Sequence, residues 1–248
     1  MPWIAPESLP VYRTGVITLL IATRNAHKAG EIQAILGGGF RLLTLTDFPA
    51  APTVVEDAPT FAGNATKKAV ELAKWLSAGS INPQPSTLNF VLADDSGLEV
   101  DALNGAPGVH SARFAAAGSA KSGNTPDADN NAKLLRLLQE VPAEKRAARF
   151  HCVLALVPTG GASSLSRPAV IIAGRLVSSL PPPKLFDGVC EGRILFAPRG
   201  QNGFGYDPLF VPAGIEQSFA ELGDEEKNRL SHRAKALEKL RGCLGCVG

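Results

Sequence analysis

Leu92-Ala93-Asp94-Asp95-Ser96-Gly97-Leu98-Glu99-Val100-Asp101-Ala102-Leu103 opens the stretch LADDSGLEVDALNGAPGVHSARF, Leu92 to Phe114, whose reading decides the fold. The apolar run Phe90-Val91-Leu92-Ala93 reads as a buried strand, and it ends in two adjacent carboxylates followed by the turn-forming pair Ser96-Gly97. Neighbouring like charges at the mouth of a buried strand repel, so the fold has to offset them with a cation or a proton. Successive strand residues face opposite sides, so Asp94 and Asp95 cannot both reach one ion unless the chain turns between them. Asp95, beside the expected turn, is the candidate metal ligand and the candidate to handle an attacking water. Asp94 is left to support the site or to act as an alternative base. Asp-Asp-Ser-Gly is also ordinary turn composition, and this reading stands beside the functional one.

Working outward, Val16 to Ala22 reads as a second buried strand, and Thr23-Arg24-Asn25 supplies capping chemistry for a helix to Leu36, stopped by Gly37-Gly38-Gly39. Further helices are expected from about Thr60 to Leu76 and from Ala128 to Leu138. Strand-like runs follow at Ala148–Val157, Ala169–Val177, Gly192–Ala197 and Leu209–Val211. Helices and strands alternate first and strands dominate later, which predicts an α/β fold with a mixed sheet and an extended β arm. The Ser-, Gly- and Pro-rich segments Ser77–Leu88, Ala115–Asp127, Pro158–Pro168 and Ser178–Gly188 read as surface loops. Residues 1–15 are Pro-bearing and aperiodic and read as an extension, residues 16–242 as a single domain, and residues 243–248 as a tail.

A chain of 248 residues can bury one sizeable core. Its formal net charge of +2 argues against a general nucleic-acid binder, so any basic site is local and suits a small anionic partner. Four cysteines are too few for a disulfide framework at this length, and a reducing, cytoplasmic setting is expected. Cys243-Leu-Gly-Cys246 lacks the second pair or histidine set that a structural zinc site wants. The run Val16 to Ala22 is too short to span a bilayer, and no membrane association is expected.

Five more constellations carry chemistry. Arg24, His27 and Lys28 crowd the start of the first helix, where each cation is opposed by roughly 0.3 to 1 kcal/mol unless an anion is bound. A phosphate would relieve this, with backbone N–H groups completing the cradle; solvated side chains are the plainer alternative. On the second helix, Phe61, Ala65, Leu72 and Trp75 form an apolar stripe with Lys68 in its middle, while Lys67, Glu71 and Lys74 lie outside it. Lys68 can escape by snorkelling, but near the core its ammonium needs a counter-anion, which a substrate phosphate would supply. Before that helix, Val54-Val55-Glu56-Asp57 ends another apolar stretch in acid, making Glu56 a candidate to meet the Asp94-Asp95 pair around a hard cation such as Mg²⁺. In Gly203-Phe204-Gly205-Tyr206-Asp207-Pro208 an extended chain would point Phe204 and Tyr206 to one face, where a base could stack; core-filling aromatics would look the same. Lys227, Ser231, His232 and Arg233 lie in a polar helical segment, and a break capped by Ser231 would let Lys227, His232 and Arg233 converge.

Taken in order, Thr23-Arg24-Asn25-Ala26-His27-Lys28, Asn64-Ala65 with Lys68-Ala69, LADDSGLEVDAL, GAPGVHSARF, RFHCVLAL, PRGQNGFGYDPLF and FAELGDEEKNRLSHRAKAL closely resemble the inosine triphosphate pyrophosphatase family, over about Ile17 to Leu240. The resemblance implies an elongated α/β protein with a central mixed sheet and a nucleotide cleft between two lobes, usually a homodimer. It implies Mg²⁺-dependent hydrolysis of ITP, dITP and XTP to the monophosphate and pyrophosphate, which cleanses the nucleotide pool. By position, it further implies that Thr23, Arg24, Asn25, Ala26, His27 and Lys28 hold the triphosphate, that Glu56 and Asp95 bind Mg²⁺, that Asp95 accepts the proton, and that Ser96 contacts substrate. Phe204, Gly205, Tyr206 and Asp207, with Lys227, His232 and Arg233, would surround the nucleoside. One departure bears on the site: Gly63 stands where the family often has an acidic residue, which leaves open a nucleotide sensor without turnover. A basic C-terminal helix also allows an RNA-binding reading, which the near-neutral charge disfavours.

Overall fold

Every residue of β1 (Ile17–Ile21) is buried, because this strand lies inside the sheet with helices on both faces. The computed structural model describes residues 16–78, 88–116, 123–159, 169–172, 175–178 and 180–245. The expected N-terminal extension and parts of the expected loops and tail lie outside the described residues. β1 leads through α1 (Ala26–Leu36) to β2 (Phe40–Thr44), and α2 (Phe61–Ser77) leads to β3 (Leu88–Val100). After α3 (Asp127–Leu137) come β4 (Ala147–Pro158), the β5 (Ala169–Ile172) and β6 (Arg175–Ser178) pair, β7 (Lys184–Ile194) and β8 (Phe210–Pro212). The described chain closes with α4 (Asp224–Leu230) and α5 (His232–Cys243).

The main sheet has the order β2-β1-β3-β4-β7-β8, parallel from β2 to β3 and antiparallel from β3 to β8, so the mixed α/β class read from the sequence holds. One face carries α2 over Leu20, Val91, Ala93 and Val153; the other carries α1 and α5 over Leu19, Ile21, Leu92 and Leu154. A third cluster at the far end joins Leu98, Leu134, Phe150, Phe210 and Phe219.

The helix boundaries follow the capping chemistry. Asn25 accepts the Lys28 amide at 3.1 Å to start α1, and Gly37, at φ +68°, ends it. Thr60 accepts the Gly63 amide at 3.1 Å to start α2. Ser231 ends α4 and caps α5 by accepting the Ala234 amide, which makes the expected break.

Four expectations about strands need correction. β2 is a strand that the sequence reading did not assign. The chain does not turn at Ser96-Gly97: β3 runs on to Val100 because all of Phe90 to Val100 pairs with β4, with Asp95 opposite Val153 and Gly97 opposite His151. Gly97 is a packing glycine, since a Cβ there would run into Ser111 Oγ and the Gly108 carbonyl. The run Ala169–Val177 is two strands, β5 and β6, paired with each other. β7 begins at Lys184, inside a segment read as loop. Leu185 is exposed, Phe186 buried and Asp187 exposed, a period of two that the preceding serines and prolines obscure. Gly188 is buried in β7 because the backbone of α5 crosses it closely; a Cβ would strike the His232 carbonyl oxygen and come 2.6 Å from the Ala236 amide nitrogen.

Candidate active site

A cavity of about 360 Å³ opens along the C-terminal end of β1 and the middle of β3. Its lining draws on Thr23, Lys28, Glu56, Lys68, Asp95 and Arg233, from segments far apart in sequence. Their positions follow from the sheet. Asp94 and Asp95 are consecutive in an unbroken strand, so they leave it on opposite faces.

On the α2 face, Asn64 and Lys68 are one helical turn apart and both buried. Asn64 Nδ2 donates to Asp95 Oδ2 at 3.0 Å, and Asn64 Oδ1 accepts the Ala58 amide at 2.9 Å. One side chain therefore fixes both the carboxylate and the segment that carries Glu56. Lys68 Nζ donates to the Asp94 carbonyl at 2.6 Å and lies 3.3 Å from Glu56 Oε1 and 3.7 Å from Asp95 Oδ1. Burial pushes the Asp95 carboxyl above its ordinary value and Glu56 adds to this, while Lys68, Lys28 and the Asn64 hydrogen bond oppose it.

On the other face, Asp94 is fully buried between cations: Lys28 Nζ at 2.5 Å from Oδ1 and Arg233 Nε at 3.0 Å from Oδ2. Burial alone would raise its pKa, but Arg233 and Lys28 hold the carboxyl well below the usual carboxylate range. So held, the Asp94 carboxylate is paired with two cations inside the protein. Ser96 Oγ joins this arrangement, donating to Asp94 Oδ1 at 3.0 Å and accepting from Arg233 at 3.0 Å.

Arg233 continues the chain of charge through Glu31, with which it is ion-paired, and Glu31 Oε1 meets Lys227 Nζ at 2.5 Å. Lys227 then reaches Asp207 Oδ2 at 2.6 Å, and the same oxygen accepts the Phe204 amide at 2.8 Å. Cation and anion alternate from Lys28 to Asp207, which keeps these buried charges paired. The sequence reading gave no role to Glu31 or Asn64. Each had a signal: Glu31 lies three residues beyond Lys28 on one helix face, and Asn64 is a polar residue one turn before Lys68 on an apolar stripe.

The phosphate candidates divide. Thr23, Arg24, Asn25 and Lys28 line the cavity, with Arg24 donating to the Ala51 carbonyl at 2.8 Å. Ala26 is exposed, and His27 stacks on Phe204 with ring centroids 5.3 Å apart. The segment 203–208 is not extended: Gly203 and Gly205 have φ of +74° and +63°. Phe204 and Tyr206 therefore part company, which corrects the shared stacking face. Phe204 stays half-buried beneath Lys227 Nζ, 4.9 Å from its ring centroid. Tyr206 packs into the third core cluster, and its hydroxyl donates to the Ser111 carbonyl at 2.9 Å. His232 stacks on Phe150 at 4.8 Å, and burial holds its imidazole well below its ordinary pKa.

Gly63 has a local cause. A Cβ at this position would lie 2.7 Å from the Ala58 Cβ and 3.1 Å from Thr60 Oγ1, so the close approach of Ala58 requires the glycine.

The comparisons agree with this architecture. The chain is 46% identical over 223 residues to the dITP/XTP pyrophosphatase of Geobacillus kaustophilus, covering 90% of this chain and 91% of the relative. It is 44% identical over 231 residues to the dITP/XTP pyrophosphatase of Geobacter sulfurreducens, covering 93% and 98%. The solved HAM1 protein from Coxiella burnetii superposes with a TM-score of 0.69 at 35% identity, covering 93% of this chain and 100% of that one. The Ham1 family model matches residues 19–243, and on that match and the likeness to these relatives, the chain belongs to the Ham1 family.

Proposed function

We propose that this protein hydrolyses non-canonical purine nucleoside triphosphates, ITP, dITP and XTP, to the monophosphate and pyrophosphate. The observation that carries the reading is the meeting of Glu56 and Asp95 on one buried ammonium, Lys68, inside a cavity that Lys28 also lines. The names of the relatives supply the substrate class.

The donor set suits Mg²⁺. Two carboxylates face one point, and among the described residues no group of three or more His, Cys, Asp or Glu side chains forms a metal cage. Mg²⁺ takes oxygen ligands and is usually held by one or two carboxylates plus substrate phosphates. Glu56 and Asp95 would hold it; when bound, it neutralises phosphate charge. Asp95, with its raised pKa, orients a water and takes its proton as the oxygen attacks the α-phosphorus. The α–β anhydride bond breaks and pyrophosphate leaves with the bonding pair. Lys28 and Lys68 stabilise the leaving charge. Donors from Arg233 or from nearby backbone pair with the 6-keto oxygen of hypoxanthine or xanthine, whereas adenine would leave them unpaired.

The resemblance also implies a homodimer, while the low cysteine content points to a reducing, cytoplasmic setting and the net charge of +2 argues against a general nucleic-acid binder. Cys152 and Cys190 are buried free thiols, in keeping with a reducing setting. Among the described residues, no helix is long and apolar enough to cross a membrane. The deciding experiment offers ITP, XTP, dITP, GTP and ATP with Mg²⁺ and identifies the released product. Pyrophosphate from the first three supports the reading; inorganic phosphate contradicts attack at the α-phosphorus. Light scattering checks the dimer.

A further inference from the structure

Helix α3 grips both main-chain polar groups of Gly205. The Gly205 amide donates to Asp127 Oδ2 at 2.6 Å, and Asn131 Nδ2 donates to the Gly205 carbonyl at 3.0 Å. Asp127 and Asn131 are four residues apart and share a helix face. Gly205 sits at φ +63° with open space where a Cβ would go, so backbone shape and not crowding requires the glycine. A residue with that much conformational freedom holds its place only if something else fixes it.

Two further observations separate this grip from ordinary helix packing. Asn131 Oδ1 is buried with no hydrogen-bond partner, a desolvation cost accepted in the orientation that gives Gly205 its donor. And α3 has other anchors. Leu134 and Leu138 are fully buried, Arg146 caps the Leu138 carbonyl at 2.5 Å, and Asn130 accepts from the Ala115 amide and the Thr125 hydroxyl. The helix therefore stands without Gly205, whereas the turn at Gly205 does not stand as accurately without the helix. On the other side of that turn, Asp207 holds the Phe204 amide. Phe204, Gly205 and Asp127 all line the cavity.

We propose that Asp127 and Asn131 are positioning residues for nucleobase selection: by clasping Gly205 they set where the Phe204 ring stands in the cavity. This rests on the reading of the cavity as a purine nucleotide site. The test compares the full chain with Asp127→Ala, Asn131→Ala, the double variant and Asp127→Asn, which keeps an acceptor for the Gly205 amide. With Mg²⁺, the double variant is expected to raise KM for ITP about 5- to 10-fold, hold kcat within about twofold, and lower the ITP-to-GTP ratio of kcat/KM. Asp127→Asn should stay near wild type, and the Gly205 amide should exchange faster in Asp127→Ala than in either. Unchanged KM and selectivity in the double variant overturn the proposal. So does an equal loss for ITP and GTP accompanied by a lower Tm, which marks a structural role only. Wild-type protein that releases no pyrophosphate from ITP overturns the functional reading itself, a result distinct from an active wild type with indifferent variants.

Discussion

The carboxylates of Asp94 and Asp95 leave β3 on opposite faces of the sheet, Asp94 toward Lys28 and Arg233, Asp95 toward Asn64 and Lys68. Neighbours in sequence thus serve different ends. One carboxylate is locked into a buried ion chain, and the other faces the cavity with its pKa raised.

Asp95→Asn keeps the volume and an acceptor for Asn64 but removes the base. Pyrophosphate release should fall by about 100-fold or more, the range of general-base loss, with the denaturation midpoint little changed. Near-normal turnover would remove Asp95 from its role.

Asp94→Asn should do the reverse kind of damage. It leaves Arg233, 1% exposed, without its buried carboxylate, and breaking one side of such a pair costs about 3 to 5 kcal/mol. Urea unfolding reads the loss; a midpoint equal to wild type would show that the ion chain is not what holds α5 against β3.

Gly63→Glu tests whether the missing acidic residue can simply be restored. Its Cβ would press on Ala58, two residues from Glu56, so overpacking should destabilise by about 1 to 3 kcal/mol and raise the Mg²⁺ concentration needed for half-maximal rate. Tighter Mg²⁺ dependence with full stability would mean that the 56–58 segment yields freely.

His232 predicts a pH effect on stability. Burial depresses its folded pKa, so below about pH 6.5 the unfolded chain takes up a proton that the folded chain refuses, and stability falls as pH falls. His232→Phe, which preserves the stack on Phe150, should lose less stability between pH 7.5 and 5.5, by up to about 1.4 kcal/mol per pH unit for one proton. Urea midpoints at the two pH values check this; equal losses in both proteins would exclude His232 as the source.

Much was legible in the linear chain because local rules governed it. Asn25 and Ser231 cap helices in the sequence as in space, and the apolar stripe of α2 places Lys68 inward by its 3.6-residue period alone. The order of apolar runs indicated a mixed sheet, and the ordered motifs indicated the family. Where glycines stood, composition misled. Gly97 and Gly188 read as loop formers, yet both lie in strands, because what they serve is the close approach of a distant backbone or side chain that no local window contains.

The partners of the charges belonged to the tertiary structure alone. Period-two geometry said that Asp94 and Asp95 must diverge, but only the packing of α1 and α5 on one face and α2 on the other decided which carboxylate would be neutralised and which left to the cavity. Glu31 meets Arg233, and Asn64 meets Asp95, across separations that sequence patterns do not span. Side-chain periodicity is a property of each element, whereas the pairing of buried charges arises only once the elements are packed together.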